Sequence, residues 1–279
     1  MAIINETFTA LADAIRSKTG STAKMSISDM TTAVLNLSVS GAGLSLQDVV
    51  STDTTLEGSL YKENDTIKSF TGNSVTKVNS AVFRDCKYLE SVSLPNALTS
   101  IGGYAFSGCR LLTTLDIGSV SSIVRFAFKD CSSLGSLTLN GCSIVSDYAC
   151  MNCTSLYSFT ASSATTVGDY AFQNCSSLTT VSLPICEGIG AGAFLGNASL
   201  TSLTLPSVTY IDACAFSGCI SLKTLTLSNT TQMCTLSNIN SLPINSSGLV
   251  VYVPAELLSQ YTANSVWSSL ARTTIKAIS

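Results

Sequence analysis

Apolar positions return along this chain with a fixed step. The first aliphatic of each unit falls at Ile101, Ile123, Val145, Val167, Ile189 and Ile211, always 22 residues apart, and a looser copy opens at Val78, 23 residues before Ile101. Behind each aliphatic the same columns follow: Tyr/Phe at Tyr104, Phe126, Tyr148 and Tyr170; Ala at Ala105, Ala127, Ala149, Ala171, Ala193 and Ala215. A Phe column (Phe83, Phe106, Phe128, Phe172, Phe194, Phe216) is broken once by Cys150. A Cys column (Cys86, Cys109, Cys131, Cys153, Cys175, Cys219) is broken once by Asn197. Each unit closes on alternating stretches such as LGSLTL or LTTVSLP, and alternation at period two predicts a short strand with one buried face. A period this short predicts a solenoid, in which a unit buries its apolar side only against its neighbours. Its strands would stack in register as a parallel sheet along one side. The unbroken Ala column predicts tight packing there, because a larger side chain would push the coils apart.

The pattern I-x-x-x-A-F-x-x-C-x-x-L-x-x-L-x-L-P, in seven copies over residues 75–228, resembles the BspA-type leucine-rich repeats of bacteria and their phages. That resemblance implies an α/β leucine-rich-repeat solenoid, right-handed and curved, with its parallel sheet on the concave side. Members of the family tend to act in surface adhesion or recognition. The N-terminal NETFTALADAIRSKTG, followed by SISDMTTAVLNL, resembles the short helical module of tail-associated proteins from phages and prophages of Gram-positive bacteria. Phe8, Leu11, Ala12 and Ile15 share one helical face and Gly20 stands past its end as a stop. Ser26 or Ser28 can cap a second helix carrying Met30, Ala33, Val34 and Leu37. Two helices this short cannot bury such a stripe against each other. Phe8, Leu11, Ile15, Met30 and Val34 are therefore expected to pack against other chains, as a homotrimer or on other tail proteins. At the far end, LVVYVPAELLSQYTANSVWSSLARTTIKAI resembles a strand-helix-strand cap, with Leu257, Leu258, Tyr261, Trp267 and Leu270 covering the last coil. The organisation expected is a helical module over 1–37, a linker over 38–45, a β cap over 46–74, repeats over 75–228 and a C-terminal cap over 229–279.

Charge narrows the function. The formal charge is −3, and between residues 131 and 230 only Asp147, Asp169, Glu187, Asp212 and Lys223 are charged. Nucleic acid would need a basic stripe to release counterions, and none exists. No apolar run is long enough for a membrane span, and the start lacks the basic-then-apolar order of a secretion signal. The resemblances place the protein in a virion tail assembled in the bacterial cytoplasm; the alternative is a cell-surface adhesin whose export signal has been removed. With no histidine in the chain, Ser-His-Asp and Cys-His catalysis are impossible. Asp147 and Asp169 occupy equivalent positions one coil apart, about 5 Å by strand spacing, which would suit paired-carboxylate hydrolysis on distance alone. Capping of a turn, repeated because the unit repeats, is the simpler expectation. No catalytic residue and no cofactor is expected. Cys150 and Cys153 form the sole C-x-x-C spacing, and with no second pair a closed zinc site is not expected either. Eleven cysteines could pair between adjacent coils, but Asn197 interrupts their column without a compensating loss, so free buried thiols are expected.

The strands carry the candidate binding surface. Their outward positions form two columns, Ser91, Thr114, Ser136, Ser158, Thr180, Ser202, Thr224 and Ser93, Asp116, Thr138, Thr160, Ser182, Thr204, Thr226. Thirteen of these fourteen positions carry a hydroxyl, a density of short donors and acceptors that could meet the hydroxyls of a cell-surface glycan or the backbone of a protein. Tyr157, beside Ser158, is the nearest candidate for an exposed aromatic. Ser and Thr also suit exposed strand positions with no ligand at all.

Overall fold

The structure, a computed structural model, describes residues 46–117, 120–243, 248–270 and 272–278. The N-terminal module and its residues Phe8, Leu11, Ile15, Met30 and Val34 lie outside the described residues. Among those described, the chain winds into a parallel β-solenoid. The aliphatic column builds its continuous wall: strands of two residues, among them Ser100–Ile101, Ile144–Val145, Gly188–Ile189 and Tyr210–Ile211, stack into one nine-stranded parallel sheet. That ladder takes in Thr55–Leu56 and Thr235–Leu236, within the segments assigned above to the N-terminal β cap and the C-terminal cap.

The outward hydroxyl strands were expected to form one sheet along a side. They form three instead, of four, three and four strands, with breaks after Thr114–Asp116 and after Thr180–Ser182. The two walls also differ in what they bury. From Val78 to Ile211 the continuous wall buries only Ile or Val. The interrupted wall buries side chains of unequal size, from Val92 through Leu137 to Phe159 and the half-buried Val181. A third line of bonds stitches the coils where the Phe column passes, the amides of Phe106, Phe128 and Phe172 reaching the carbonyls of Ala127, Ala149 and Ala193, each at 2.8 Å.

Between the walls runs a column of rings. Phe83, Phe106 and Phe128 stack at 5.2 and 5.6 Å, and Phe172, Phe194 and Phe216 stack at 5.3 Å. All are fully buried, each contributing about 1.5–3 kcal/mol of apolar transfer. Cys150 breaks the stack, and in the same coil the strand position holds Phe159, whose ring lies 4.4 Å from that of Phe172. The ring volume missing from one column is supplied by the other.

The Cys column is explained by donors. The thiols of Cys109, Cys131, Cys153 and Cys219 donate to the carbonyls of Phe83, Phe106, Phe128 and Phe194 in the preceding coil at 3.0–3.1 Å. A small, largely apolar side chain with one weak donor fits a buried position facing a carbonyl. Asn197 preserves that bond with its amide, donating to the Phe172 carbonyl at 2.8 Å. All eleven cysteines are free, and burial pushes the Cys86 and Cys219 thiols up to about 12.

The C-terminal end is closed by the strand Leu249–Val253, two short helices over Leu258–Ala263 and Ser265–Ser268, and the strand Thr273–Ala277. Tyr261 and Trp267 meet edge to face at 5.0 Å. The Tyr261 hydroxyl accepts from the Cys234 amide at 2.7 Å and the Trp267 indole donates to the Cys234 carbonyl at 2.9 Å. The cap thus satisfies the backbone of the last coil, which has no following turn to pair with.

Candidate recognition surface

Ser136, Ser158 and Thr180 stand side by side in register across three adjacent strands, and Thr138, Thr160 and Ser182 form the parallel row. Ser202 and Thr204 belong to the next sheet, in register with Thr224 and Thr226. Asp116 lies in the first sheet, its backbone paired with Ser93. The structure therefore gathers six of the candidate positions on one three-stranded patch and divides the rest between its neighbours. The eight hydroxyls from Ser136 to Thr204 in these two columns are exposed or half-buried, while Leu137, Phe159 and Leu203 between them point into the core.

Hydroxyls elsewhere on the coils behave differently. Thr99 donates to the Thr76 carbonyl, Thr165 to Ser143 and Thr209 to Glu187, at 2.9–3.2 Å. A second such line runs from Thr113 to Glu90 and from Thr179 to Tyr157, both at 3.1 Å. Those hydroxyls stitch one coil to the one before. The eight on the strand face take no part in this stitching, and each retains its donor for solvent or a ligand. Ser/Thr content alone does not distinguish the two sets; the strand register does.

Tyr157 stands immediately before the strand Ser158–Thr160 and is 56% exposed. Its ring reaches back over Gly135, where an added Cβ would lie 3.0 Å from the ring. Glycine at 135 thus makes room for a tyrosine laid along the edge of the hydroxyl patch.

A second aromatic feature was visible in the sequence only as a repeat column. Tyr104, Phe126, Tyr148 and Tyr170 stack on the outside of the coils at 4.7, 4.8 and 5.2 Å. Each has left-handed backbone, with φ from 54° to 62°, a conformation that costs a bulky residue about 1–3 kcal/mol. Stacking at about 0.5–1.5 kcal/mol a pair offsets much of this. Arg84 lies over Tyr104 at 5.4 Å, and Arg125, paired with Asp147 at 3.4 Å, lies beside Phe126 and Tyr148. The ladder ends at Gly192, where a Cβ would meet the Tyr170 ring at 2.5 Å. With each face covered by a neighbour, the ladder offers edges rather than a stacking platform.

The carboxylate pair is structural. Asp147 accepts from the Asp169 amide at 3.1 Å, and Asp169 in turn accepts from the Ala191 amide at 2.8 Å. Each caps the backbone of the following coil, so the two do not converge on a shared space. Cys150 and Cys153 are buried with free thiols, and among the described residues no three of His, Cys, Asp and Glu come together as metal ligands would. No described helix is long and apolar enough to cross a membrane.

Comparison with known proteins agrees with this architecture. The BspA type leucine rich repeat region matches residues 54–179 and 143–249, in six copies. Nothing among curated proteins matches the sequence. Among solved structures, a leucine-rich repeat protein from Eubacterium ventriosum is similar over 72% of this chain and 64% of its own, at 18% identity and a TM-score of 0.52. A leucine rich cell surface protein from Faecalibacterium prausnitzii matches 83% of this chain and 88% of its own at 16% identity, TM-score 0.45. A leucine rich repeat protein of T. pallidum matches 72% and 80% at 24% identity, TM-score 0.41. The repeat match spans more than half of the chain, and the protein belongs to the BspA-type leucine-rich-repeat family.

Proposed function

We propose that the protein is a non-enzymatic recognition module of a bacterial cell surface, and that it holds a neutral glycan on the strand face. The observation that carries this is the patch of Ser136, Thr138, Ser158, Thr160, Thr180 and Ser182, in register and kept out of the stitching bonds, with Tyr157 along its edge. Membership of a repeat family that builds extended surfaces supports the recognition role, and the F. prausnitzii relative is described as a cell surface protein. The tail-associated role implied by the N-terminal module rests on residues outside those described, and none of the relatives named above is described as a tail protein.

Each contact on this face is a neutral hydrogen bond worth about 0.5–1.5 kcal/mol net. Single sites are therefore weak, and attachment depends on several copies acting together. Binding is expected to change little with salt, because no charge pair carries it. The test is binding to purified cell-wall polysaccharide by Tyr157→Ala and by a variant with Thr138, Thr160 and Ser182 all changed to Lys. Both should lose binding while keeping the parent's circular dichroism. Full binding by the folded triple variant would remove the strand face from the reading.

A further inference from the structure

The step from Ile211 to Leu236 is 25 residues where each step from Ile101 to Ile211 takes 22. The extra residues follow the strand Thr224–Thr226. Between this insertion and the coil before it lies an open cleft of about 460 Å³, on the opposite edge of the strand face from Tyr157. Its lining includes Glu187, Ser207, Thr209, Asn229, Thr230 and Thr231.

The hydrogen-bond directions in this lining are unequal. Ser207 donates its hydroxyl proton to the Pro184 carbonyl at 3.1 Å, Thr209 to the Glu187 carbonyl at 3.1 Å, and Thr231 to Asn229 Oδ1 at 2.7 Å. The Asn229 amide donates to the Ser207 carbonyl at 3.2 Å. A hydroxyl has a single proton, so these three can offer a ligand only lone pairs. The Glu187 side chain, exposed and in no ion pair among the described residues, likewise only accepts. Ser228, Thr230 and Gln232 complete the polar lining with donors of their own, and the lining holds one negative charge and no cation. It calls for a ligand with several separated hydroxyls, which both donate and accept, and a positive charge.

We infer that the insertion cleft binds an amino sugar, its ammonium on Glu187 and its ring hydroxyls donating to Ser207, Thr209 and Thr231. A lysine side chain would bring its donors to a single point and leave the spread of hydroxyl acceptors unused. Uronic and phosphorylated sugars would bring acceptors and negative charge to a site that already has both. The volume lies within the range of small-ligand sites and admits a monosaccharide. This site is separate from the strand face and does not depend on the reading given for it.

The test is calorimetry or ligand-observed NMR with glucosamine, N-acetylglucosamine, glucuronate and cadaverine, at about pH 6, where the sugar amine is charged. Glucosamine should bind about tenfold tighter than N-acetylglucosamine, as a charge-assisted hydrogen bond implies. Glucuronate should not bind, and added salt should weaken glucosamine. Glu187→Gln should erase the preference for the free amine. The Glu187 carbonyl, not its side chain, stitches the coils, so this variant keeps the fold. Thr230→Lys, at an exposed position, should place an ammonium in the cleft and abolish binding. Three results would each overturn the inference: equal binding of glucosamine and N-acetylglucosamine, a preference that survives Glu187→Gln, or cadaverine binding as tightly as glucosamine.

Discussion

Asn197 occupies a position that the other coils of its column give to cysteine, and its amide makes the bond the thiols make. It also brings an oxygen. Asn197 Oδ1 is buried without a hydrogen-bond partner, and an unsatisfied buried acceptor costs about 1–3 kcal/mol. Asn197→Cys keeps the donor and removes the orphan, so it should raise stability by about 1 kcal/mol in urea titration; a loss would mean the oxygen has a partner such as buried water. The thiols have their own consequence. Cys86, Cys219 and Cys234 are raised from an ordinary 9.0 to about 12, chiefly by burial. Between those values the folded state keeps protons that the unfolded state releases. Stability is therefore whole below pH 9 and falls as pH rises through that window, by about 1.4 kcal/mol per pH unit for each thiol. Urea midpoints should drop steeply between about pH 8.5 and 10.5. Cys219→Asn, which follows the precedent of residue 197, should drop less. Equal slopes in the two proteins would take the buried thiols out of the explanation.

Elements in this protein are columns, and a column tolerates an exception only when another column supplies what is lost. Cys150 and Phe159 are such a pair. Cys150→Phe alone should overpack the core, costing about 1–3 kcal/mol. Phe159→Leu alone should leave a cavity at a cost of about the same size. Together they recreate the arrangement of the neighbouring coils, Phe106 with Leu115 and Phe128 with Leu137, and the double variant should lose much less than the sum. Additive losses would show that the two sites do not share space. The columns also decide what was legible before the fold was seen. Alternation placed the outward strands of the repeats and their hydroxyls, because burial is written directly into period two; the two-residue strands of the continuous wall were legible only as an aliphatic column. The stacked ladder of Tyr104, Phe126, Tyr148 and Tyr170 was not legible, because bulky residues rarely adopt positive φ. The hint was that Ala81, Gly192 and Cys214 share their column, so the position itself needs no ring. The cleft was missed because the aliphatic column was followed only to Ile211. One more step, to Leu236, carries the three-residue excess that opens it.

On the scale of the whole molecule, contacts are almost all between adjacent coils, and stability should behave as a sum along one dimension. The coil boundaries make this testable, since residues 146–167 form one complete turn and Ser146 and Gly168 are equivalent positions. Deleting that turn joins Val145 to Gly168 and puts Phe128 next to Phe172, closing the gap in the ring column that Cys150 leaves. It removes one coil's burial, yet every remaining coil keeps a neighbour on each side. The shortened protein should fold cooperatively, with a urea m-value smaller in proportion to the surface lost and a midpoint near that of the parent. It should also bind glycan more weakly, because Tyr157, Ser158 and Thr160 leave with the turn. Deleting residues 146–156 alone removes half a turn, sets every later column against the wrong partner and should abolish folding. A folded half-turn deletion, or a full-turn deletion that fails to fold, would show that the coils do not act as separable units.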